Sequence, residues 1–475
     1  MNPSSKRWIL LLIVSLCSLS VQAQDQAERL FDNATTFMSA GKYKEAMADL
    51  QSLISSFPRT PWASKALLTM ARYHLETEGD FEKALELFSR IQTEYASEDE
   101  ASAAYYYKAL IMERRGESVA ELESAVADLM RMRNLYPDNS SQAGALFLFG
   151  KLSLRLKNYL DALKHFQDLE FTYSQSPFLS QAFLHAAQAA YLKNQPDRAS
   201  MILARLQTRY PNSPESERAR SYLRLIDRIR NPAEYKLDSS FFGSTPKSFS
   251  SPTRVAVGAN GEVAIRGQKN IHFASIHNPT ERSSAVMKDL EDFGYDREGN
   301  LLLIFKNRIM ARQGEAPPMS QAFRDIRSAS VDAFGRLFVV DDDEKDGFVF
   351  SKDGSLIRRM GLNRPRMVRA FGGDSVFLLG DGSRLQRFDA SFNPVENNLP
   401  AFTNIVDFCF DPYGNLYVLS GKGATVTVLD HTGAKQTSFN LKNGYPLKQA
   451  HGIAADASGA IYLADRRGGA VQRFQ

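Results

Sequence analysis

Two unrelated repeat periods run through this chain of 475 residues and meet near Asn231. In the first half a small residue recurs every 37 to 41 residues, and in the second half a turn glycine recurs every 36 to 45 residues. The first period passes through Ala34, Ala71, Ala109, Gly150 and Ala187, with a second series at Ala46, Ala84, Ala125, Ala162 and Ala199, and the other period passes through Gly261, Gly299, Gly335, Gly414 and Gly459, with Asp374 in the one slot that lacks glycine. Repeats of this length indicate solenoids and propellers, whose units bury a core only by stacking on their neighbours.

The first 23 residues have the pattern of a secretory signal peptide. Lys6 and Arg7 precede a nine-residue apolar stretch, which is too short to span a bilayer, and Val21-Gln22-Ala23 offers a cleavage site. We therefore expect an exported protein with no transmembrane segment in the mature chain, and a retained signal anchor is the alternative. Leu16 before Cys17 disfavours lipidation. Only Cys409 would remain after cleavage, so no intrachain disulfide is expected, and its apolar surroundings favour a buried, inert thiol.

Residues 26–230 follow one helical plan. Each unit has a first helix that carries the small residue, a turn containing Gly or Asn, and a second helix with apolar residues at helical spacing. The second helix stops at an aromatic residue followed by Pro or a small residue, as in Phe57-Pro58 and Tyr136-Pro137. This pattern resembles the tetratricopeptide repeat over five units, and the Tyr210-Pro211-Asn212-Ser213-Pro214 ending is similar to bacterial envelope members of that family. The helix after it, residues 216–229, reads as a polar capping helix.

In tetratricopeptide solenoids the first helices line a concave groove that commonly holds a peptide. The resemblance therefore implies a partner-binding groove whose aromatic and cationic side chains suit an interface. Aligned first-helix positions assign Arg72, Tyr106, Lys151, Arg155, Gln188 and Tyr191 to it. The other reading of the same residues is that they pack or solvate the superhelix.

Residues 231–475 repeat a strand–turn–strand unit. The clearest copies are residues 331–341, 410–419 and 455–465, in which an Asp opens the turn, a glycine follows, and three or four apolar residues form a buried strand. The Asp-x-x-Gly-x-apolar-Tyr-Val core resembles NHL-type six-bladed β-propellers. The last unit is one strand short at Phe474, so we expect residues 237–242 to supply the missing strand and close the ring.

Some propellers of this type are lyases or lactonases with a metal in the central channel. The residues that enter the innermost strands or end the second strands should rim that channel, and they are Arg254, Asp292, Arg327, Asp341, Arg366, Asp407, His451 and Asp465. A catalytic metal requires two or three converging His or carboxylate ligands, and only one histidine is among these residues. No hydrolase elbow, zinc-protease, phosphate-loop or dinucleotide motif is present.

The sequence thus predicts a multidomain α plus all-β protein without catalytic, cofactor-binding or metal residues. Its expected role is a periplasmic or outer-membrane-associated scaffold that brings protein partners of the cell envelope together. A propeller enzyme of the lyase or lactonase type, or a sensor that binds a glycan or peptidoglycan fragment, is the alternative. A formal net charge of +4 is small for this length and implies no nucleic-acid partner.

Overall fold

Helices precede antiparallel strands along the chain, as the two periods predict. The computed structural model describes residues 22–475 except 117, 231–234, 242, 245–246, 279–281, 297–298, 314–315, 372–374, 380–383, 390, 396–398 and 442–446. Most of the predicted leader, including Cys17, and the assignments made to Phe242 and Asp374 lie outside the described residues. The multidomain α plus all-β fold class is confirmed.

Eleven helices are seen in the described residues, arranged as five pairs and a final single helix. They are α1 (22–39), α2 (Tyr43–Ser56), α3 (Pro61–Tyr73), α4 (Phe81–Glu94), α5 (Asp99–Arg115), α6 (Val119–Leu135), α7 (Gln142–Arg155), α8 (Tyr159–Thr172), α9 (Leu179–Leu192), α10 (Pro196–Arg209) and α11 (Pro214–Arg230). A short π-helical segment, His74–Glu78, continues α3. The small residues of both helical series are buried, which explains the period, since a larger side chain at those points would separate the paired helices.

The aromatic residues at the ends of the second helices connect successive repeats. The Tyr95 hydroxyl donates a hydrogen bond to the Pro58 carbonyl at 2.8 Å, and Tyr136 donates to the Ala96 carbonyl at 2.6 Å. Each tyrosine therefore satisfies a backbone acceptor at the end of the preceding repeat. This contact gives the aromatic stop signal a structural reason beyond ending its own helix.

Among the described residues, the strands form six antiparallel sheets in a ring. The first sheet is β1 (Arg254–Val257), β2 (Glu262–Arg266), β3 (Asn270–Ser275) and β4 (Arg282–Val286), and the second is β5 (Leu290–Tyr295), β6 (Leu301–Phe305) and β7 (Arg308–Ala311). The third is β8 (Ile326–Val331), β9 (Leu337–Asp341), β10 (Asp346–Phe350) and β11 (Leu356–Arg359), and the fourth is β12 (Met367–Phe371), β13 (Ser375–Leu379), β14 (Leu385–Phe388) and β15 (Pro394–Val395). The fifth is β16 (Asp407–Phe410), β17 (Leu416–Ser420), β18 (Thr425–Leu429) and β19 (Lys435–Asn440), and the sixth is β20 (Ala450–Ala455), β21 (Ile461–Asp465) and β22 (Ala470–Phe474).

The apolar run after each turn glycine is the second strand of its sheet, and in β6, β9, β17 and β21 all five residues are buried. The Asp that opens the turn is explained by its hydrogen bonds. Asp411 Oδ1 accepts from the amides of Tyr413 (2.8 Å) and Asn415 (3.1 Å), and Asp456 makes the same bonds in the sixth sheet. The carboxylate thus fixes a turn in which glycine adopts a positive φ, +90° at Gly414.

The chain closes the ring by pairing its beginning with its end. Leu237 forms an isolated antiparallel bridge with Phe474, and the amides of Lys236 and Gln475 each donate to the other's carbonyl, at 3.0 and 2.9 Å. Gly243, Lys247 and Phe249 also lie along the edge of β22, through backbone hydrogen bonds to Val471, Gly468 and Gly469. The predicted closing segment is therefore present, as a single bridge with irregular pairing after it. It completes the sixth sheet, so the three-stranded β5–β7 sheet is the one left incomplete among the described residues.

The chain divides into two compact units, and their boundary differs from the change of repeat at residue 231. Helices up to Leu152, with Asp168–Ser176, form the first unit. The second unit contains Gly116–Ser118, Ser153–Gln167 and Pro177–Gln475, so that α9, α10 and α11 pack together with the sheets.

We predict that Phe241→Ala weakens the closed ring. Phe241 is 7% exposed and packs edge-on against Tyr462, with ring centroids 5.4 Å apart. Removing this buried ring should lower the free energy of unfolding by about 3–5 kcal/mol. The matched control is Phe171→Ala, because Phe171 is 91% exposed and should change stability little. Denaturant titration of both variants measures this, and equal unfolding midpoints would contradict closure by this segment.

Candidate functional site

A buried ion triad lies where the innermost strands begin. Arg254, the first residue of β1, places Nε 2.6 Å from Asp292 Oδ1 and Nη1 2.5 Å from Asp407 Oδ1. The arginine side chain is 11% exposed, and the two carboxylates are 4% and 0% exposed. Burial alone would lower the pKa of Arg254, but the two carboxylates hold it above its ordinary value. Three of the predicted rim residues are therefore brought together, as an internal clamp between sheets one, two and five.

The remaining acceptor positions of the two aspartates are also used. Asp292 accepts hydrogen bonds from Ser328 Oγ (2.7 Å), Arg369 Nη1 (3.0 Å) and the Phe293 amide (2.9 Å), whereas Asp407 accepts from the amides of Phe408 (2.8 Å) and Ile453 (3.0 Å). The network thus connects all six sheets. Removing one charged side chain from such a buried network is strongly destabilising, because it leaves the opposite charges buried without a counter-ion.

Five predicted rim residues lie outside this network, and for three of them the reason is a shift of one residue along the strand. Arg254, Asp292, Ser328 and Asp407 each stand seven positions before their turn glycine, whereas Arg327 and His451 stand eight before theirs, and Arg366 stands eight before Asp374 in the slot without glycine. Because successive side chains of a strand point to opposite faces, a shift of one residue places the side chain on the face away from the Arg254 network. Arg327 is exposed and pairs with Asp342 at 3.1 Å, Arg366 is exposed, and His451 Nδ1 lies 3.3 Å from the Thr253 carbonyl. Counting from the turn would have identified Ser328, although not Arg369.

Asp341 and Asp465, which end the second strands, have a structural role. Asp341 accepts hydrogen bonds from the amides of Asp325 (3.1 Å) and Glu344 (2.8 Å). Asp465 accepts in the same way from the amides of Lys448 (2.8 Å) and Gln449 (2.8 Å). Both carboxylates are at most 1% exposed and tie the loop before the first strand to the end of the second. They hold the rim in place and are not open to a ligand.

No group of three His, Cys, Asp or Glu residues within the described part of the chain is arranged to hold a metal ion. Cys409 is half-buried in β16, and desolvation raises the pKa of its thiol well above the ordinary value, so the thiol stays protonated at neutral pH.

In the first unit, the predicted groove residues lie on the first helices of their repeats. Arg72 on α3 is half-exposed, pairs with Glu76 at 3.3 Å, and places its guanidinium 5.7 Å from the ring centre of Tyr107. Tyr106 on α5 is half-buried against Gly144, where an added Cβ would come within 3.0 Å of its ring. Lys151 on α7 pairs at 2.9 Å with Glu113, a carboxylate that is only 4% exposed. Of these three, Arg72 is the most available to a partner.

In the second unit, two predicted groove residues contact the ring. Tyr191 on α9 is 3% exposed and donates a hydrogen bond of 2.8 Å to Asn415 Oδ1 in the turn before β17. Arg155 Nη2 lies 3.3 Å from the Ala333 carbonyl, and its guanidinium lies 5.5 Å from the ring centre of Phe334. Both residues were expected to face an external partner, but they contact turns of this same chain. Gln188 is half-buried on α9.

The capping helix α11 makes the same kind of contact. Tyr222 is fully buried and stacks on Tyr413 with ring centroids 3.6 Å apart, and Arg228 Nη1 donates to the Ser458 carbonyl at 2.6 Å. Leu225 approaches Gly459 so closely that a Cβ there would lie 2.8 Å from its Cδ1. The third, fifth and sixth turns of the ring are therefore contacted by Arg155, by α9 and by α11, respectively. The sequence predicts only a polar capping role for α11, and the contacts with the ring turns are additional to it.

The turn under Tyr191 holds a buried carboxylate with a shifted pKa. Asp411 Oδ2 accepts from Asn415 Nδ2 (2.7 Å) and from the Tyr417 hydroxyl (3.0 Å), and desolvation raises the pKa of Asp411 to about 6. Because this value lies above that of a solvated carboxyl, the contribution of Asp411 to stability is greatest below about pH 4 and is lost as the pH rises through about 6.

Comparison with known families finds a likeness for the helical half. The family model YfiO, described as an outer membrane lipoprotein, matches residues 23–149 and 139–251. The helical region is YfiO-like. This match confirms the resemblance to tetratricopeptide repeats of the bacterial envelope. Within the YfiO-like region and the rest of the described chain, no helix has the length and apolar character needed to cross a bilayer.

Solved structures similar to this chain cover about half of it. The WD40 β-propeller domain of Doa1 is 12% identical, with 51% of this chain and 97% of that chain covered and a TM-score of 0.36. The gluconolactonase XC5397 from Xanthomonas campestris is 13% identical (50% and 93% covered, TM-score 0.39), and a catalytically inactive virginiamycin B lyase from Staphylococcus aureus is 12% identical (50% and 85% covered, TM-score 0.34). Likenesses this weak carry no argument about activity. A comparison with curated protein sequences found no match.

We predict that Arg254→Met strongly destabilises the ring. The substitution would leave Asp292 and Asp407 buried without their shared counter-ion, which should cost about 3–5 kcal/mol of unfolding free energy. The matched control is Arg366→Met, which removes an exposed arginine just before β12 and should change the free energy of unfolding little. Thermal unfolding followed by circular dichroism separates the two variants. Equal stability of Arg254→Met and the unsubstituted protein would show that the triad does not hold the sheets together.

Proposed function

We propose that this chain is a non-enzymatic scaffold of the bacterial cell envelope, located in the periplasm or at the outer membrane. Its YfiO-like helices bind a protein partner through the surface formed by their first helices, and the ring serves as a rigid platform. The YfiO match supports the location, since that family is described as an outer membrane lipoprotein.

The observation that carries the proposal is the contrast between the two sets of predicted site residues. The channel carboxylates Asp292 and Asp407 are buried and bonded to Arg254 and to neighbouring sheets. A catalytic channel instead needs carboxylates or imidazoles free to accept a proton or bind a metal. By comparison, Arg72 presents a half-exposed guanidinium beside the Tyr107 ring on the helical surface. An exposed arginine next to aromatic rings is typical of residues that dominate binding energy at protein interfaces.

The groove therefore comprises Arg72, Tyr106 and Lys151, the predicted residues of the first unit. Arg155 and Tyr191 are excluded from it because their side chains contact the ring turns. Lys151 is better left in place in a test, since its removal would leave Glu113 buried without its cation.

We predict that Arg72→Ala combined with Tyr106→Ala weakens partner binding by about 2 kcal/mol or more, which is roughly thirtyfold. The matched control is Met130→Ala with Arg131→Ala on the second helix α6, where both side chains are exposed. Chemical cross-linking in cells that make the full chain, followed by quantitative mass spectrometry of the captured protein, measures the loss. Equal capture by the groove variant, the control variant and the unsubstituted chain would overturn the groove.

A further inference from the structure

One end of the ring carries a sector of exposed positive charge. The loops before the first strands and the turns between second and third strands meet at this end, because antiparallel pairing sets the start of each first strand beside the end of its second strand. In sheets five, six and one, those loops and turns contain Lys247, Lys269, Lys422, Lys448, Arg466 and Arg467, all exposed. We call these six residues the basic sector.

The basic sector is continuous across the three sheets. Sheet five adjoins sheet six where Gly423, beside Lys422, lies against the Ala450 carbonyl at the start of β20. The Arg466 amide donates to the Gln449 carbonyl at 3.0 Å, which joins the sixth turn to the loop that holds Lys448. The Lys247 amide donates to the Gly468 carbonyl at 3.1 Å, and the Gln268 amide donates to the Ser250 carbonyl at 2.8 Å, which joins the sixth sheet to the first. Backbone hydrogen bonds therefore set the positions of the cations, while their side chains extend into solvent.

No acidic residue compensates this charge within the same loops. The segments 247–253, 267–269, 402–406, 421–424, 447–449 and 466–469 contain no Asp or Glu. The buried Asp407 and Asp465 nearby are already bonded to Arg254 and to backbone amides. The acidic residues of this end lie in the neighbouring sheets instead. Asp289 and Glu291 stand at the start of β5 in sheet two, and Asp342 in sheet three pairs with Arg327. No member of the basic sector forms an ion pair with any described residue.

The opposite end of the ring cannot offer the same surface. It carries turn aspartates whose carboxylates are buried and hydrogen-bonded, and three of its turns contact Arg155, α9 and α11. The ring therefore has one end committed to helices of its own chain and one exposed end with an uncompensated positive sector.

We propose that the basic sector binds an anionic phospholipid surface. The six cations are spread over short loops rather than gathered around a cavity, and the centre of the ring is filled by the Arg254 triad. Such an array matches a flat surface of many phosphates better than one extended acidic segment. Each exposed lysine or arginine adds to attraction toward an anionic leaflet, and salt screens that attraction. This inference goes beyond the proposed scaffold function and does not depend on the helical groove.

The test is co-sedimentation of the full chain with phosphatidylcholine vesicles that contain about a third phosphatidylglycerol, and with vesicles of phosphatidylcholine alone. We expect at least about tenfold tighter binding to the anionic vesicles, lost at high salt. The variant Lys422→Glu, Lys448→Glu, Arg466→Glu and Arg467→Glu should lose that binding about tenfold or more. The matched control is Lys164→Glu, Lys193→Glu, Lys352→Glu and Lys435→Glu, which makes the same change in net charge at exposed sites elsewhere.

Retention of binding by the control and its loss in the basic-sector variant support the proposal. An equal loss in both variants would reduce the effect to net charge and overturn the assignment to this sector. Failure of the unsubstituted chain to prefer anionic vesicles would also overturn it. If that chain instead bound soluble polyglutamate through the same four residues, the sector would be assigned to an acidic protein. None of these outcomes depends on Arg72 or Tyr106, so partner binding through the groove is tested separately.

Discussion

Repeat architectures depend on covering their ends, and in this protein the last helix and the last sheet are both covered by contacts within the chain. A repeat buries its apolar face only against a neighbour, so the last helix of a solenoid and the last sheet of a ring both need a partner. The last helix, α11, packs on the ring, where Tyr222 stacks on Tyr413. The last sheet is covered by Lys236, Leu237, Gly243, Lys247 and Phe249, which pair along β22. The helices α9–α11 and the ring consequently belong to one compact unit.

The same constraint explains how the charges at the ring centre are used. Six first strands converge there, and their side chains must either pack or neutralise one another. Arg254 neutralises Asp292 and Asp407, and Arg369 adds a second cation to Asp292. Charges buried this deeply persist only when each has its partner, so the network favours a structural role. The two ends of the ring differ, since one contacts helices of the same chain and the other carries the basic sector.

Much of the fold follows from periodicity, because spacing reports directly on packing. The alanines of the helical half are buried where a larger side chain would push helices apart, and the turn glycines and aspartates form the hydrogen-bonded turns that their spacing predicts. The closing bridge at Leu237 followed from counting strands. The rim was less well predicted, since an offset of one residue is enough to turn Arg327 and His451 away from Ser328 and Asp292.

The contacts between the helices and the ring turns could not be predicted from the repeats. Tyr191 and its partner Asn415 are 224 residues apart, and Arg155 and Ala333 are 178 apart. Each half has its own period, and neither period contains information about the other. Aromatic and arginine side chains on the first helices look alike whether they await an external partner or contact a turn of the same chain, so only the three-dimensional structure separates Arg72 from Arg155 and Tyr191.

The central claim is that α11 and the ring turns are one cooperative unit, and hydrogen exchange of the Tyr222→Ala variant tests it most directly. Loss of the Tyr222–Tyr413 stack should raise exchange together in Pro214–Arg230 and in β16 and β17. The matched control Phe88→Ala removes another fully buried ring and should raise exchange in α4 and α5 without affecting the ring. Increased exchange in α11 alone, with β16 and β17 unchanged from the unsubstituted protein, would contradict the account.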